Sequence, residues 1–478
     1  MHKILCILDP AASRRWHGLL LDRLRTAGYA VGVRHLGGAP ARTGLDAVLR
    51  LEARRFGPSL ASLAPPPAPM PLDAPDLILD LTPAGAPPMA APRLRLTWNG
   101  QPDPAAGLAT LLAPNALPEL TLWRDDMPVG QARPMRSDRL WLSRTADEML
   151  SGAVALLEQG IARHCAGRLE PQSPPPPVAA PRGFFRHYFP HAAKEATARL
   201  AGKLTHNRPF YWQVGYRRAS STIDPDAPGL GPRPFMVLED DGTRFYADPF
   251  AIEHAGQTWL FVEDYPYALG RGLISVSRLE ADGHFSTPRV VLDEPHHLSY
   301  PQVFAQDGAI FMLPESGGAG VLRLYRAENF PHHWVPDTDL LSGVDINDAT
   351  LVPHRGRFYL FATQRLGPGS ASDILVVYTA PALRGPWVPH RLNPIAIDRA
   401  GARPGGAVLR RDGRLWLKVQ DGTRAYGAGL GLREILHLDE DDVRLGPTRP
   451  LSPHIHTFNA AGGMELVDTS GHIAALSA

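Results

Sequence analysis

From residue 236 onward one short pattern recurs about every fifty residues, and a repeat of that length dictates a chain built from near-equivalent stacked units. Asp248-Pro249-Phe250 runs through Gly256 into Trp259-Leu260-Phe261. Tyr300-Pro301-Gln302 runs through Gly308 into Ile310-Phe311-Met312-Leu313, and Asp348-Ala349-Thr350 through Gly356 into Phe358-Tyr359-Leu360-Phe361. Each glycine stands seven residues after the second position of its motif, where a tight turn joins two paired strands. A fourth copy, Arg403-Pro404-Gly405-Gly406, reaches Gly413 and Leu415-Trp416-Leu417 with two extra residues. A fifth is read as Gly462-Gly463-Met464-Glu465-Leu466-Val467, reaching Gly471 and then Ile473. The steps are 52, 48, 55 and about 57 residues, room for four short strands per unit. The expectation is an all-β five-bladed β-propeller over residues 235–478, its ring closed by a strand near residues 210–217 or 235–238.

The first third reads differently. Apolar strands at residues 3–8, 29–36, 76–81 and 93–97 alternate with helices at 13–27 and 45–55. Shorter strands are expected at 120–123 and 140–142, and a long amphipathic helix at 145–165. This alternation argues for a Rossmann-like α/β domain over residues 1–168. Asp9-Pro10-Ala11-Ala12-Ser13 follows the first strand in place of a glycine-rich phosphate cradle, so no dinucleotide is expected. Residues 169–182 hold Pro174-Pro175-Pro176-Pro177 and Pro181, which favour a stiff extended linker. Residues 183–234 then carry a connecting helix, centred on 192–204, and a strand. The cluster Phe184-Phe185-Arg186-His187-Tyr188-Phe189 offers a peripheral membrane contact or, more plainly, packing between domains.

Composition narrows the function. With 49 basic and 48 acidic residues the net charge is +1, so nothing in the charge points to a nucleic-acid partner. Of the basic residues 45 are arginine and only 4 lysine, so an anion site is expected to use arginine. Cys6 and Cys165 are too few and too distant for a disulfide framework or a thiolate metal site. The apolar run before Asp9 is five residues, short of a secretory signal, and no run approaches a transmembrane span. A cytoplasmic protein with no cofactor is expected.

A propeller presents ligands at the mouth of its channel, where the innermost strands begin. Asp248, Tyr300, Asp348, Arg403 and the stretch His454 to Asn459 occupy those entries, and Glu263, Asp264 and Glu315 end the second strands. Carboxylates gathered in one cavity push each other's pKa values apart, so that one keeps its proton while another stays ionised. The plainer alternatives are a turn-capping Asp248, solvated hairpin ends at Glu263, Asp264 and Glu315, and an Arg403 that merely pairs with one of the acids. No metal site is expected from His454 and His456.

Two resemblances add to this. Ala247-Asp248-Pro249-Phe250 with Phe261-Val262-Glu263-Asp264 resembles the five-bladed propellers of arabinanase- and xylosidase-type glycoside hydrolases. More specific are Ser299-Tyr300-Pro301, Pro314-Glu315-Ser316, Leu324-Tyr325-Arg326-Ala327, Phe330-Pro331-His332-His333-Trp334 and His456-Thr457-Phe458-Asn459. These resemble the N-terminal propeller of plant glucosamine inositolphosphorylceramide transferases and its bacterial relatives, over roughly residues 235–475. In the plant proteins sugar transfer belongs to a separate C-terminal domain, so the fold transfers better than the activity. In the hydrolases a first-blade Asp is the general base, a third-blade Asp tunes the acid, and a Glu at the fourth-blade entry is the acid. Asp248 and Asp348 match the first two; Arg403 stands at the third and cannot act as an acid at neutral pH. The N-terminal domain resembles a formyltransferase, with Leu96-Thr97-Trp98-Asn99-Gly100 at that family's active strand. It lacks the His-x-Ser-Leu-Leu-Pro signature, which implies a degenerate copy with its chemistry lost.

The resulting expectation is a carbohydrate-active protein that transfers a glycosyl group from a sugar phosphate or nucleotide sugar to a glycan or lipid acceptor. Asp248 acts as base, Glu315 and Asp348 as acid and its electrostatic partner, and Arg403 with His456 holds phosphate. Tyr300 and Trp212 stack on the sugar, and Glu263, Asp264 and Asn459 line the substrate. The alternatives are a glycoside hydrolase with Glu315 as acid and a non-catalytic glycan-binding scaffold.

Overall fold

The computed structural model describes residues 2–37, 44–205, 211–219 and 223–470. It forms two compact units: Met1–Asn207 with the short segments Leu366–Ser370 and Leu392–Asp398, and the remainder.

The first unit is built on one mixed sheet. Strands β1 (Lys3–Leu8), β2 (Ala30–His35), β3 (Leu77–Asp80) and β4 (Arg93–Trp98) pair in parallel, and β5 (Leu120–Arg124) and β6 (Met127–Ala132) add an antiparallel edge in the order β2-β1-β3-β4-β5-β6. Parallel strands need crossovers, and the helices α1 (Arg15–Thr26) and α2 (Gly44–Phe56) supply those from β1 to β2 and from β2 to β3, whereas α3 (Pro104–Thr110) lies between the antiparallel β4 and β5. β1 is buried from Ile4 to Leu8, which is why its sequence is a continuous apolar run rather than an alternation.

Two expectations change here. Residues 140–142 are not a strand; Leu142 opens the long helix α4 (Leu142–Cys165). Its first amides are capped from far away in sequence, Leu142 N and Ser143 N donating to the buried Glu52 carboxylate at 3.2 and 2.7 Å. β6 and α3 were not anticipated, and β6 supplies the last strand of the sheet. α4 lies tight on the sheet because Gly152 and Gly160 carry no Cβ: one would stand 2.5 Å from Pro134 and 2.2 Å from Leu122 respectively. The proline-rich segment is extended but not a free spacer. Val178 N donates to Asn99 O and Gln101 Nε2 to Val178 O, at 2.9 and 2.6 Å, so it lies along the unit. The helix α5 (Phe184–Thr205) closes this unit and absorbs the aromatic cluster 184–189 into its first turns.

The second unit is a five-bladed propeller. Counting outward from the innermost strand, the first blade is Arg244–His254, Gln257–Pro266, Leu273–Arg278 and Arg289–Leu292. The second is Ser299–Gln306, Ala309–Glu315, Val321–Asn329 and His333–Ser342, and the third Ile346–His354, Arg357–Gln364, Ile374–Ala380 and Val388–Pro389. The fourth is Leu409–Arg411, Arg414–Gln420, Gly429–Leu438 and Val443–Pro453. In every blade the innermost hairpin turns through two residues at positive φ. These are Ala255-Gly256, Asp307-Gly308, Arg355-Gly356, Asp412-Gly413 and Gly462-Gly463, the type I′ geometry that matches strand twist.

The fifth blade corrects the repeat. Gly462-Gly463 is the turn itself, between Ile455–Ala461 and Met464–Ser470; Gly471 and Ile473 lie outside the described residues. Both candidate closing strands are used: Trp212–Arg218 pairs with Met464–Ser470, and Met236–Val237 pairs with Trp212–Arg218. The strand at 212–218 therefore belongs to the propeller ring rather than to a connector. A buried cross-strand pair, Arg217 Nε to Glu465 Oε2 at 2.6 Å, fastens this closure, with the guanidinium 4.1 Å over the Phe235 ring. Between blades the packing is aromatic; Phe250, Phe261, Tyr300, Tyr325 and Trp334 share one buried cluster across the first two. Each such ring contributes roughly 1.5–3 kcal/mol by leaving water.

Candidate active site

The innermost strands share a device that aims their first residues into the channel. In the first three blades pairing skips two residues, opposite Val262, between Ser299 and Gln302, and between Asn347 and Thr350. At each bulge the leading residue adopts positive φ: Asp248 at 49°, Tyr300 at 48° and Asp348 at 50°. A bulge re-aims a side chain, and a non-glycine residue in this region costs about 1–3 kcal/mol, which such a site recovers elsewhere. The fifth blade is bulged at the same place, between Ile455 and Phe458, so His456 is the equivalent of Asp248 there.

Asp248 is fixed from three sides. Its Oδ1 accepts from Thr457 Oγ1 at 2.8 Å and its Oδ2 from Tyr300 N at 3.2 Å, while its own amide donates to Asp468 Oδ2 at 2.8 Å. Asp468 also accepts from Thr457 N at 2.8 Å and holds His456 Nδ1 at 2.9 Å. His456 Nε2 then lies 3.7 Å from Asp248 Oδ1 and 3.1 Å from the Tyr426 hydroxyl. Trp212 backs the imidazole, ring centroids 4.3 Å apart. Burial pushes Asp248 up to about 7; the facing His456 opposes this and Asp468 adds to it. Burial alone would lower His456, but Asp468 and Asp248 outweigh it and lift the imidazole to about 9.

The other half of the site is organised by Arg403. Its Nε and Nη2 grip the Asp348 carboxylate at 2.6 and 3.1 Å, and Nη2 reaches Glu315 Oε2 at 3.3 Å. Gln420 Nε2 donates to Asp348 at 2.6 Å, and Asp348 N donates to Glu315 Oε2 at 3.0 Å. The guanidinium sits 5.3 Å from the centre of the Tyr426 ring, so Tyr426 bridges the two halves. Burial opposes ionisation of Asp348, but the charge and hydrogen bonds of Arg403 prevail and hold it below the usual carboxylate range. Burial pushes Glu315 well above its ordinary value despite Arg403, and pushes Glu263 up as well, reinforced by Asp248 and Glu315. His297 Nε2 stands 3.4 Å from Glu263 Oε1.

The expected residues thus divide. Asp248, Glu263, Glu315, Asp348, Arg403 and His456 converge. Asp264, next to Glu263 in the strand, falls on the opposite face by strand alternation; Arg244 at 3.0 Å and Ser275 at 2.8 Å satisfy it outside the site. Tyr300 is fully buried and cannot stack on a sugar: its hydroxyl meets Thr350 Oγ1 at 2.9 Å and accepts from Gly406 N at 2.5 Å. Asn459 is equally committed, donating to Pro249 O at 2.8 Å and accepting from Ala407 N at 2.9 Å. Trp212, 2% exposed, stacks on His456 rather than on a ligand. Arg403 is held by carboxylates, which removes the free guanidinium expected for phosphate. Asp468, Gln420, Tyr426 and His297 were not anticipated, and Thr457 was read only as part of the stretch His454 to Asn459. Reading the fifth hairpin one strand earlier would have exposed the His456–Asp468 pairing. Asp248, His456 and Asp468 offer ligand atoms within 4.8 Å of one another, a cation-sized spacing, although in the structure these atoms engage each other and Thr457.

Residues 238–446 match a family model described as glucosamine inositolphosphorylceramide transferase 1, N-terminal. The matched stretch contains Asp248, Glu263, Glu315, Asp348, Arg403 and Tyr426, and stops before His456 and Asp468. Glucosamine inositolphosphorylceramide transferase 1 of Arabidopsis thaliana is 34% identical over 206 residues, 42% of this chain and 27% of that protein. The Oryza sativa subsp. indica protein of the same name is 34% identical over 210 residues, 43% of this chain and 28% of its own length. The chain therefore spans about a quarter of the length of these relatives. Among solved structures, a family 117 glycoside hydrolase produced by the marine bacterium Zobellia galactanivorans aligns at 12% identity and a TM-score of 0.36, over 55% of this chain and 91% of that one. An alpha-L-arabinanase of Cellvibrio cellulosa aligns at 17% identity and 0.32, over 44% and 78%.

Proposed function

We propose that this chain is a carbohydrate-active enzyme that moves a glycosyl group from a phosphate-activated sugar to a glycan or glycolipid acceptor. The observation that carries the reading is the divergence of three neighbouring carboxyls. Asp248 titrates near 7, Glu315 keeps its proton far above the usual range, and Asp348 stays ionised. Environments that push carboxyls apart in this way assign acid and base roles. Asp248 takes the proton of the attacking hydroxyl, with His456 and Thr457 holding it in place. Glu315 delivers a proton to the departing oxygen, and Asp348 with Arg403 steadies it. The remaining carboxylates favour the positive charge that develops on a sugar ring as its glycosidic bond breaks. The match to the N-terminal part of glucosamine inositolphosphorylceramide transferase 1 supports a carbohydrate-active role, and the choice of transfer rests on the site alone.

Hydrolysis is the second reading, and one observation favours it. Arg403 becomes available to a phosphate only by releasing Asp348, whereas the acid-rich cavity as built suits neutral sugar hydroxyls. For the α/β unit, a formyltransferase-like ancestry without activity is consistent with Asn99. Its amide donates to Thr110 Oγ1 at 2.7 Å and accepts from Glu119 N at 2.6 Å, holding its own loop instead of facing a substrate.

The test is product analysis with nucleotide sugars, sugar phosphates and oligosaccharides, alongside Asp248→Asn. Transfer predicts a new glycoside that requires both donor and acceptor and disappears in the variant. Release of free sugar from an oligosaccharide alone establishes hydrolysis. A rise in melting temperature with oligosaccharide and no product at all establishes a glycan-binding scaffold.

A further inference from the structure

Helix α5 takes no part in the proposed chemistry, and its surface is independent of it. One side of this helix packs on its own unit: positions 184, 188, 191 and 195 are half-buried, spaced at helical period. Phe184 lies so close to α2 that a Cβ on Gly44 would stand 2.6 Å from its ring, and His191 Nε2 meets Arg139 O at 2.8 Å. Glu195, the only acid between Gly183 and Leu200, is on this side.

At 100° per residue, Phe185, Phe189, Ala193, Ala196 and Leu200 fall within one arc of about 80° on the outward side. Phe185 is 43% exposed, Phe189 64% and Leu200 59%. The Phe185 and Phe189 rings stack on each other at 5.7 Å, joining two exposed side chains into one apolar surface. Arg186 is exposed at one margin of the stripe, and Lys194 is exposed about 100° farther round the helix. Arg199 borders the other, 3.4 Å from Asp138. From Arg182 to Arg199 there are four cationic side chains against Glu195 alone, a local excess of three positive charges in a chain of net charge +1. A protein partner would have to offer an apolar groove rimmed by acids; an anionic bilayer offers both features everywhere, with headgroups above and acyl chains below. Phenylalanines facing outward between arginine and lysine are the pattern of a helix that lies in that interface.

We propose that α5 is an interfacial membrane-docking helix, which inserts Phe185, Phe189 and Leu200 at the acyl boundary of an anionic membrane and pairs Arg186 and Lys194 with its headgroups. The test is flotation of the full chain with phosphatidylcholine vesicles and with vesicles of phosphatidylcholine and phosphatidylserine. The chain is expected to float with the anionic vesicles, and to do so less as salt rises. Phe185→Ser/Phe189→Ser is expected to reduce binding at least tenfold. Arg186→Gln/Lys194→Gln should reduce it roughly 25-fold, at about fivefold per lost charge near an anionic surface. Val290→Ser, an exposed apolar site of the propeller, should leave it unchanged. All these positions are exposed, and an unaltered thermal melt verifies that the variants fold. Equal flotation with both vesicle types, or indifference to the Phe185/Phe189 change, overturns the proposal. So does a dimer in sedimentation velocity that depends on these phenylalanines while vesicles are not bound, since that outcome assigns the stripe to a second copy of the chain.

Discussion

Arg403→Met is the substitution that most sharply tests how the candidate site is held together. The guanidinium is nearly buried, bidentate on Asp348 and in reach of Glu315. Methionine approximates its length but leaves Asp348 as an uncompensated buried carboxylate beside a second acid. Breaking a buried pair from one side costs about 3–5 kcal/mol, which in a unit of this size lowers Tm by roughly 6–10 °C. The pH dependence identifies the cause. In the native protein Asp348 is held below its ordinary pKa, so it contributes stability that is present above about 4 and lost as pH falls through its folded value. In the variant burial acts unopposed and raises the same group. Its ionisation then destabilises the fold at all pH values above its ordinary pKa. The difference in Tm between the two proteins should therefore be smallest near pH 4 and grow toward pH 8. Arg403→Met/Asp348→Asn should recover most of the loss at pH 8. Differential scanning calorimetry across this range is the assay. A loss below about 1 kcal/mol, or one that does not vary with pH, would refute the claim that Arg403 and Asp348 act as a buried pair.

Asp248→Asn should abolish turnover while leaving Tm at pH 8 equal or higher, because a carboxyl raised to about 7 is a liability once ionised; circular dichroism melts check the second half. His456→Gln removes the cation that opposes the burial of Asp248, so the rising limb of the kcat/KM profile, expected near pH 7, should move to higher pH. Asp264→Asn should leave that limb where it is, since Arg244 and Ser275 hold Asp264 on the other strand face; a kcat/KM profile of the variant checks it. Gly406→Ala should destabilise the propeller measurably in thermal melts, because at φ 130° its Cβ would stand 2.2 Å from Phe458 O.

What the sequence disclosed follows from the range of the forces involved. β1, α1, α2 and the inner hairpins are specified by residues within a few positions of one another, through apolar runs and turn glycines, and they lie close to where the pattern puts them. The start of α4 is set by Glu52, ninety residues earlier, and no local signal distinguishes it from a short strand. Within the site, Asp248, Glu315, Asp348 and Arg403 were legible because they recur at hairpin entries and ends. Asp264 misled because a one-residue step in a strand reverses its face. Tyr300 and Asn459 stand at the right place in the repeat, yet their polar atoms serve neighbouring blades, which only three-dimensional proximity reveals. Asp468 was concealed by a fifth repeat read one strand too late.

The closing blade gives the site a dependence on synthesis order. The strand at 212–218 emerges early with only the two-residue strand Met236–Val237 beside it; its other edge waits for Met464–Ser470, about two hundred and fifty residues later. His456, Thr457 and Asp468 arrive with that same hairpin. Asp248 and Arg403 are thus made before the groups that position Asp248, and a ribosome-bound chain that has all four earlier blades still lacks the histidine beside its base. A chain trimmed to residues 238–446 would keep most of the acids and forfeit both the latch and that histidine. The ring and the proton chemistry reach completion in one event, the docking of the last strand on the first.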